Sequence, residues 1–154
     1  ADGTVIPWQE SQTEHPYYEK YYIAGDQRTW SSSVPESMMR YAYVLTVYAE
    51  AQARATGTPD ALAYESINAI RLRAGLDPLS GLSGPEFAAA VVQERAWEFA
   101  AERTRWFDLT RLEMVEEANA AKSPDDLQPL GAITKEDYYF PLPFSETSIN
   151  ENLK

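Results

Sequence analysis

The sequence predicts a mainly α-helical fold of antiparallel helical hairpins, flanked at both ends by loop-rich segments. Three observations carry that prediction. Apolar residues recur at helical spacing from residue 37 to residue 121, Gly57 and Gly75 sit where that spacing lapses, and Ser83-Gly84-Pro85-Glu86 has the S-x-x-E pattern of a capping box with proline in the first turn.

Residues 1–36 hold Trp8, Tyr17, Tyr18, Tyr21, Tyr22 and Trp30, broken by Pro7, Pro16, Gly25, Pro35 and a run of three serines, without a sustained period. They are expected to form irregular, aromatic-rich loops. From about Pro35 to Thr56 a first helix is expected. Met38, Tyr41, Ala42, Leu45, Tyr48, Ala49 and Ala53 share one face and Met39, Tyr43 and Val47 another, and apolar residues on two faces predict burial between neighbours. Gly57 suits the left-handed position after a helix and Pro59 the first turn of the next, which runs to Ala74 with Ala63, Ile67, Ile70 and Ala74 inward and Gly75 as its stop. So short a linker makes the pair antiparallel, a hairpin of tetratricopeptide-like length.

A third helix is expected from Ser83 to about Glu102, with Phe87, Val91, Val92, Ala96, Trp97 and Phe99 as its apolar face. A fourth is expected from Trp106 to about Ala121. Trp97, Phe99, Trp106 and Phe107 are read as core. Pro124, Pro129, Pro141 and Pro143 then impose turn or extended backbone, with at most a short strand at Tyr138 to Pro141. The organisation is thus 1–36 irregular, 37–121 helical core and 122–154 extended and proline-rich, all within one domain.

Composition limits the chemistry. The 154 residues suit one domain, in which folding hides roughly 70% of the unfolded chain's surface. There is no cysteine, which removes disulfides, thiolate metal sites and cysteine nucleophiles. A net charge of −11 repels polyanions and gives nucleic acid no electrostatic footprint. No apolar run approaches the ~20 residues of a membrane span, so the segment is expected to be soluble, and no targeting segment is evident.

The one histidine, His15, lies in a proline-flanked loop, so no Ser-His-Asp or metal constellation is expected. Glu98 and Glu102 stand one helical turn apart, a spacing open to an acid–base pair of the glycosidase kind. Arg95, Arg103 and Arg105 nearby would lower their pKa values, the wrong direction for a general acid. Arginines set among apolar residues are more informative: Arg40, Arg71, Arg73, Arg95 and Arg105. A guanidinium there needs carboxylate or carbonyl partners, and Glu50, Glu94, Glu98 and Asp108 are at hand. We expect Arg40, Glu50, Arg71, Arg95, Glu98, Arg105 and Asp108 to be internal clamps between helices. In the N-terminal loop, Trp8, Tyr17, Tyr18, Tyr21, Tyr22 and Trp30 with Gln9, Gln27 and Arg28 offer flat rings for sugar C–H faces and polar groups for hydroxyls; the same rings also suit a cover over the helical core.

The string Arg40-Tyr41-Ala42-Tyr43-Val44-Leu45-Thr46-Val47-Tyr48-Ala49-Glu50-Ala51 resembles the R-Y-A-E-V-L-L-x-Y-A-E-A segment of the SusD/RagB family, glycan-binding lipoproteins of Bacteroidetes outer membranes. Ile67 to Leu76 is similar to its I-N-x-V-R-x-R-A-G-L. Glu94 to Arg111 is similar to its E-R-R-x-E-L-x-x-E-G-x-R-W-F-D-L-x-R, and Phe140-Pro141-Leu142-Pro143 with Glu146 to its P-I-P-x-x-E tail. The resemblance implies tetratricopeptide-like hairpins carrying a loop-rich face for oligosaccharide. It also implies a role without bond-breaking chemistry or cofactor, at the outer-membrane surface, beside a SusC-like TonB-dependent transporter. Family members are typically about three times longer and carry a lipidated cysteine that this chain lacks, so it looks like a C-terminal portion. Tyr43 replaces the usual glutamate and Arg103 the usual glycine. The four motifs are scaffold in the family, so the sugar site cannot be carried over from them. A protein-interaction scaffold is the alternative expectation.

Overall fold

Each helix begins and ends where backbone chemistry gives it reason to. The computed structural model describes Lys20, residues 37–124, residues 131–150 and Asn152; the expectations placed on the aromatic N-terminal loop lie outside the described residues. The chain divides into two compact units, Ala1–Arg103 and Thr104–Lys154, a division that falls inside the 37–121 segment.

In the first unit, α1 (Tyr41–Thr56), α2 (Ala61–Arg73) and α3 (Gly84–Glu98) form the core. Helix α1 starts later than Pro35 suggested: Met38 and Met39 precede it and are exposed. Gly57 ends it at φ 75°, its N–H donating to the Ala53 carbonyl. The cap of α2 is Asp60, whose Oδ1 accepts from the Ala63 N–H at 2.7 Å, with Pro59 one residue outside. Gly75, at φ 75°, closes α2 in a Schellman arrangement: its N–H donates to Leu72 O, and that of Leu76 to Arg71 O. The capping box of Ser83 and Glu86 opens α3 with both reciprocal bonds formed.

Helix α1 is the hub. It packs along both α2 and α3, which touch each other little. Its inward face is small, with Ala42, Thr46, Ala49 and Ala53 buried, and Ala63 of α2 is equally small. Ile67, Phe87 and Val91 fill the space between, with Tyr64 set edge-on to Phe87 at 4.7 Å. Burying a side chain the size of Phe87 contributes about 1.5–3 kcal/mol. Of the expected second face of α1, Tyr43 packs against Phe99 while Met39 and Val47 are exposed, and Tyr41 and Tyr48 of the first face are exposed as well. The loop after α2 is pinned by side chains standing in for a backbone ladder. Asn68 exchanges two bonds with Leu79 (2.7 and 3.0 Å), and the Tyr64 hydroxyl accepts from Leu82 N and donates to Leu82 O.

Helix α3 ends at Glu98, four residues short of the expected limit. The turn that follows is closed by the Glu102 N–H on Phe99 O and holds Ala101 and Arg103 at φ 66° and 60°. Left-handed backbone costs a non-glycine residue roughly 1–2 kcal/mol, so the bend carries strain at both Ala101 and Arg103.

In the second unit the expected fourth helix is two, α4 (Arg105–Arg111) and α5 (Val115–Ala120). They break at Glu113, whose φ of 55° completes a Schellman arrangement with Met114 N–H on Leu109 O, a stop that no glycine announces. The strand expected at Tyr138 to Pro141 is absent. A 3-10 turn covers Lys135–Tyr138 and a short helix, α6, follows at Phe144–Ile149. The Tyr138 hydroxyl donates to the Glu116 carboxylate, which this bond holds below the usual carboxylate range.

At the far end of the α1–α3 pair the two segments meet backbone to backbone. A Cβ on Gly84 would lie 2.2 Å from the Gly57 carbonyl oxygen. Gly84→Ala is therefore expected to lower stability in urea melts by about 2–3 kcal/mol. Gly131→Ala, which meets open space, should stay within about 0.5 kcal/mol of the parent. Equal effects of the two changes would contradict the close approach.

Candidate functional site

The ends of three elements converge on a cluster of arginines, carboxylates and rings. Arg40, at the N-cap of α1, donates through Nε and Nη2 to the two oxygens of Glu102 at 2.9 and 2.8 Å, pairs through Nη1 with Glu98, and donates through Nη2 to the Glu98 carbonyl at 2.7 Å. Its guanidinium also lies 4.7 Å from the centre of the Phe99 ring. Arg73, closing α2, donates to Glu98 at 2.6 Å. Lys20 pairs with Glu102 and donates to the Glu98 carbonyl at 2.8 Å, so two cations meet the C-terminal end of α3, where the helix dipole favours positive charge.

One turn earlier, Arg71 donates to Glu94 at 2.6 Å and to the Asp77 carbonyl at 2.8 Å. Arg95, itself buried, donates to the Thr46 hydroxyl at 2.8 Å and stands 4.8 Å over Tyr43 and 5.3 Å over Phe99. Tyr43 thus faces a guanidinium with a ring where a glutamate is usual. Thr46, Tyr43, Phe99 and Lys20 were not singled out as partners in the sequence, and Glu102, expected beside Arg95, Arg103 and Arg105, is met by Arg40 and Lys20.

The remaining expected clamp residues are placed differently. Glu50 is buried and accepts from Arg54 at 2.8 Å, within α1. Asp108 is buried and accepts from Arg111 at 2.7 Å, three residues on, so it is not held by Arg105; the Nη1 of Arg105 is buried without a hydrogen-bond partner. The aromatic residues Trp8, Tyr17, Tyr18, Tyr21, Tyr22 and Trp30, and Arg28, lie outside the described residues.

Beside the cluster, Ala74, Leu76 and Trp97 with Lys20, Glu94 and Glu98 line an open depression of about 480 Å³. Trp97, expected in the core, is 59% exposed, and Phe107 is exposed as well, whereas Phe99 is buried. The reason is helical phase. At about 100° per residue Trp97 lies some 80° from Phe87, on the side away from Ala88, Val92 and Arg95. Among the described residues no three His, Cys, Asp or Glu side chains converge closely enough to hold a metal ion.

Burial pushes the Glu98 and Glu102 carboxyls upward. Hydrogen bonds from Arg73 and Arg40 to Glu98, and from Arg40 and Lys20 to Glu102, outweigh it and hold both below the usual carboxylate range. A carboxyl lowered by folding stabilises the fold fully above its unfolded value of about 4.3, and that contribution is lost as pH falls through the folded value. The stability gap between the parent and Arg40→Met should therefore be widest near neutrality and close below about pH 4. Urea melts across that range check it. A gap that does not change with pH would show that Arg40 acts through packing on Phe99 alone.

Comparison with known proteins agrees with this geometry. A SusD family profile matches residues 4–154. A SusD-like protein, P2, of Formosa agariphila is 33% identical over 98% of this chain, and the match covers 33% of that protein. The crystal structure of a SusD superfamily protein from Parabacteroides distasonis superposes with a TM-score of 0.64 at 34% identity, over 77% of this chain and 26% of the other. The chain spans about a third of the length of the curated relative it matches. With nearly every residue inside the family profile and the helices laid out as in a solved member of the superfamily, this chain belongs to the SusD family.

Proposed function

We propose that the chain is part of a non-catalytic glycan-binding protein, working at the outer-membrane surface and passing oligosaccharide to a SusC-like TonB-dependent transporter. The observation that carries this reading is family membership over residues 4–154, since SusD-like proteins bind glycans. The chemistry of the cluster fits it. Glu98 and Glu102, the pair with acid–base spacing, are ionised and each spoken for by cations, so neither is a proton donor near neutral pH. No helix among the described residues is long and apolar enough to cross a membrane.

In this reading the ion-paired helices are scaffold and sugar contact falls to the edges, with Trp8, Tyr17, Tyr18, Tyr21, Tyr22, Trp30 and Arg28 as the proposed platform. A second reading, a helical scaffold gripping a protein partner, is favoured by the outward stripe of Tyr41, Val44, Val47 and Tyr48 on α1.

The two separate in titrations against a broad glycan panel. Glycan binding predicts a shift in intrinsic tryptophan fluorescence with at least one oligosaccharide, lost in Trp8→Ala with Trp30→Ala, and no release of reducing ends on prolonged incubation. Silence toward every glycan would contradict it and favour the scaffold. Cleavage abolished by Glu98→Gln would contradict the non-catalytic reading.

A further inference from the structure

We draw no further inference here: the strongest candidate, the outward apolar stripe of Tyr41, Val44 and Tyr48 along α1, carries nothing because nothing in the structure shows what covers it.

Discussion

Arg40 makes contacts that the helices cannot supply for themselves. Its guanidinium reaches the carboxylates of Glu98 and Glu102, the last carbonyl of α3 and the face of Phe99. Without a cation between them, two carboxylates and the negative end of a helix would crowd one partly buried corner, each raising the cost of the others. A planar fork with several donors fits that corner where a lysine's point charge would meet one group at a time. Lys20 and Arg73 add charge to the same corner, but Arg40 alone is fixed by the start of α1.

The opposite ends of the same helices are joined by different means. Near Arg40, α1 begins where α3 ends, and charge joins them. At the far side α1 ends where α3 begins, and there Gly57 and Gly84 meet with no side chain between. The α1–α3 pair is thus antiparallel and fastened at both ends, with alanines and Thr46 allowing close approach along its length. The arginines of α2 reach α3 from the side, Arg71 to Glu94 and Arg73 to Glu98, which compensates for the slight direct packing between those two helices.

Much of this was legible in the sequence wherever a local rule decides the backbone. Gly57 and Gly75 stop their helices, Ser83 and Glu86 start α3, and the α2 arginines do find carboxylates. What stayed hidden depends on choices no local rule makes. Glu113 takes a left-handed conformation where glycine would have announced the break between α4 and α5. Trp97 looks like core in a list of apolar residues and only its angular position on α3 sends it outward. Asp108 chose Arg111 over Arg105, three residues away in either direction and equal on paper. The contacts of Arg95 with Thr46, Tyr43 and Phe99 stayed hidden because a hydroxyl and two rings carry no charge to match with an arginine.

The helical frame turns on direct coupling between the guanidinium of Arg40 and the carboxylate of Glu102. A double-mutant cycle in urea, with Arg40→Met, Glu102→Gln and the pair together, measures it. A forked, partly buried pair predicts a coupling of about 1.5–3 kcal/mol at neutral pH. A coupling under about 0.5 kcal/mol, as for pairs held loosely in water, would contradict the claim that this corner fastens the helices.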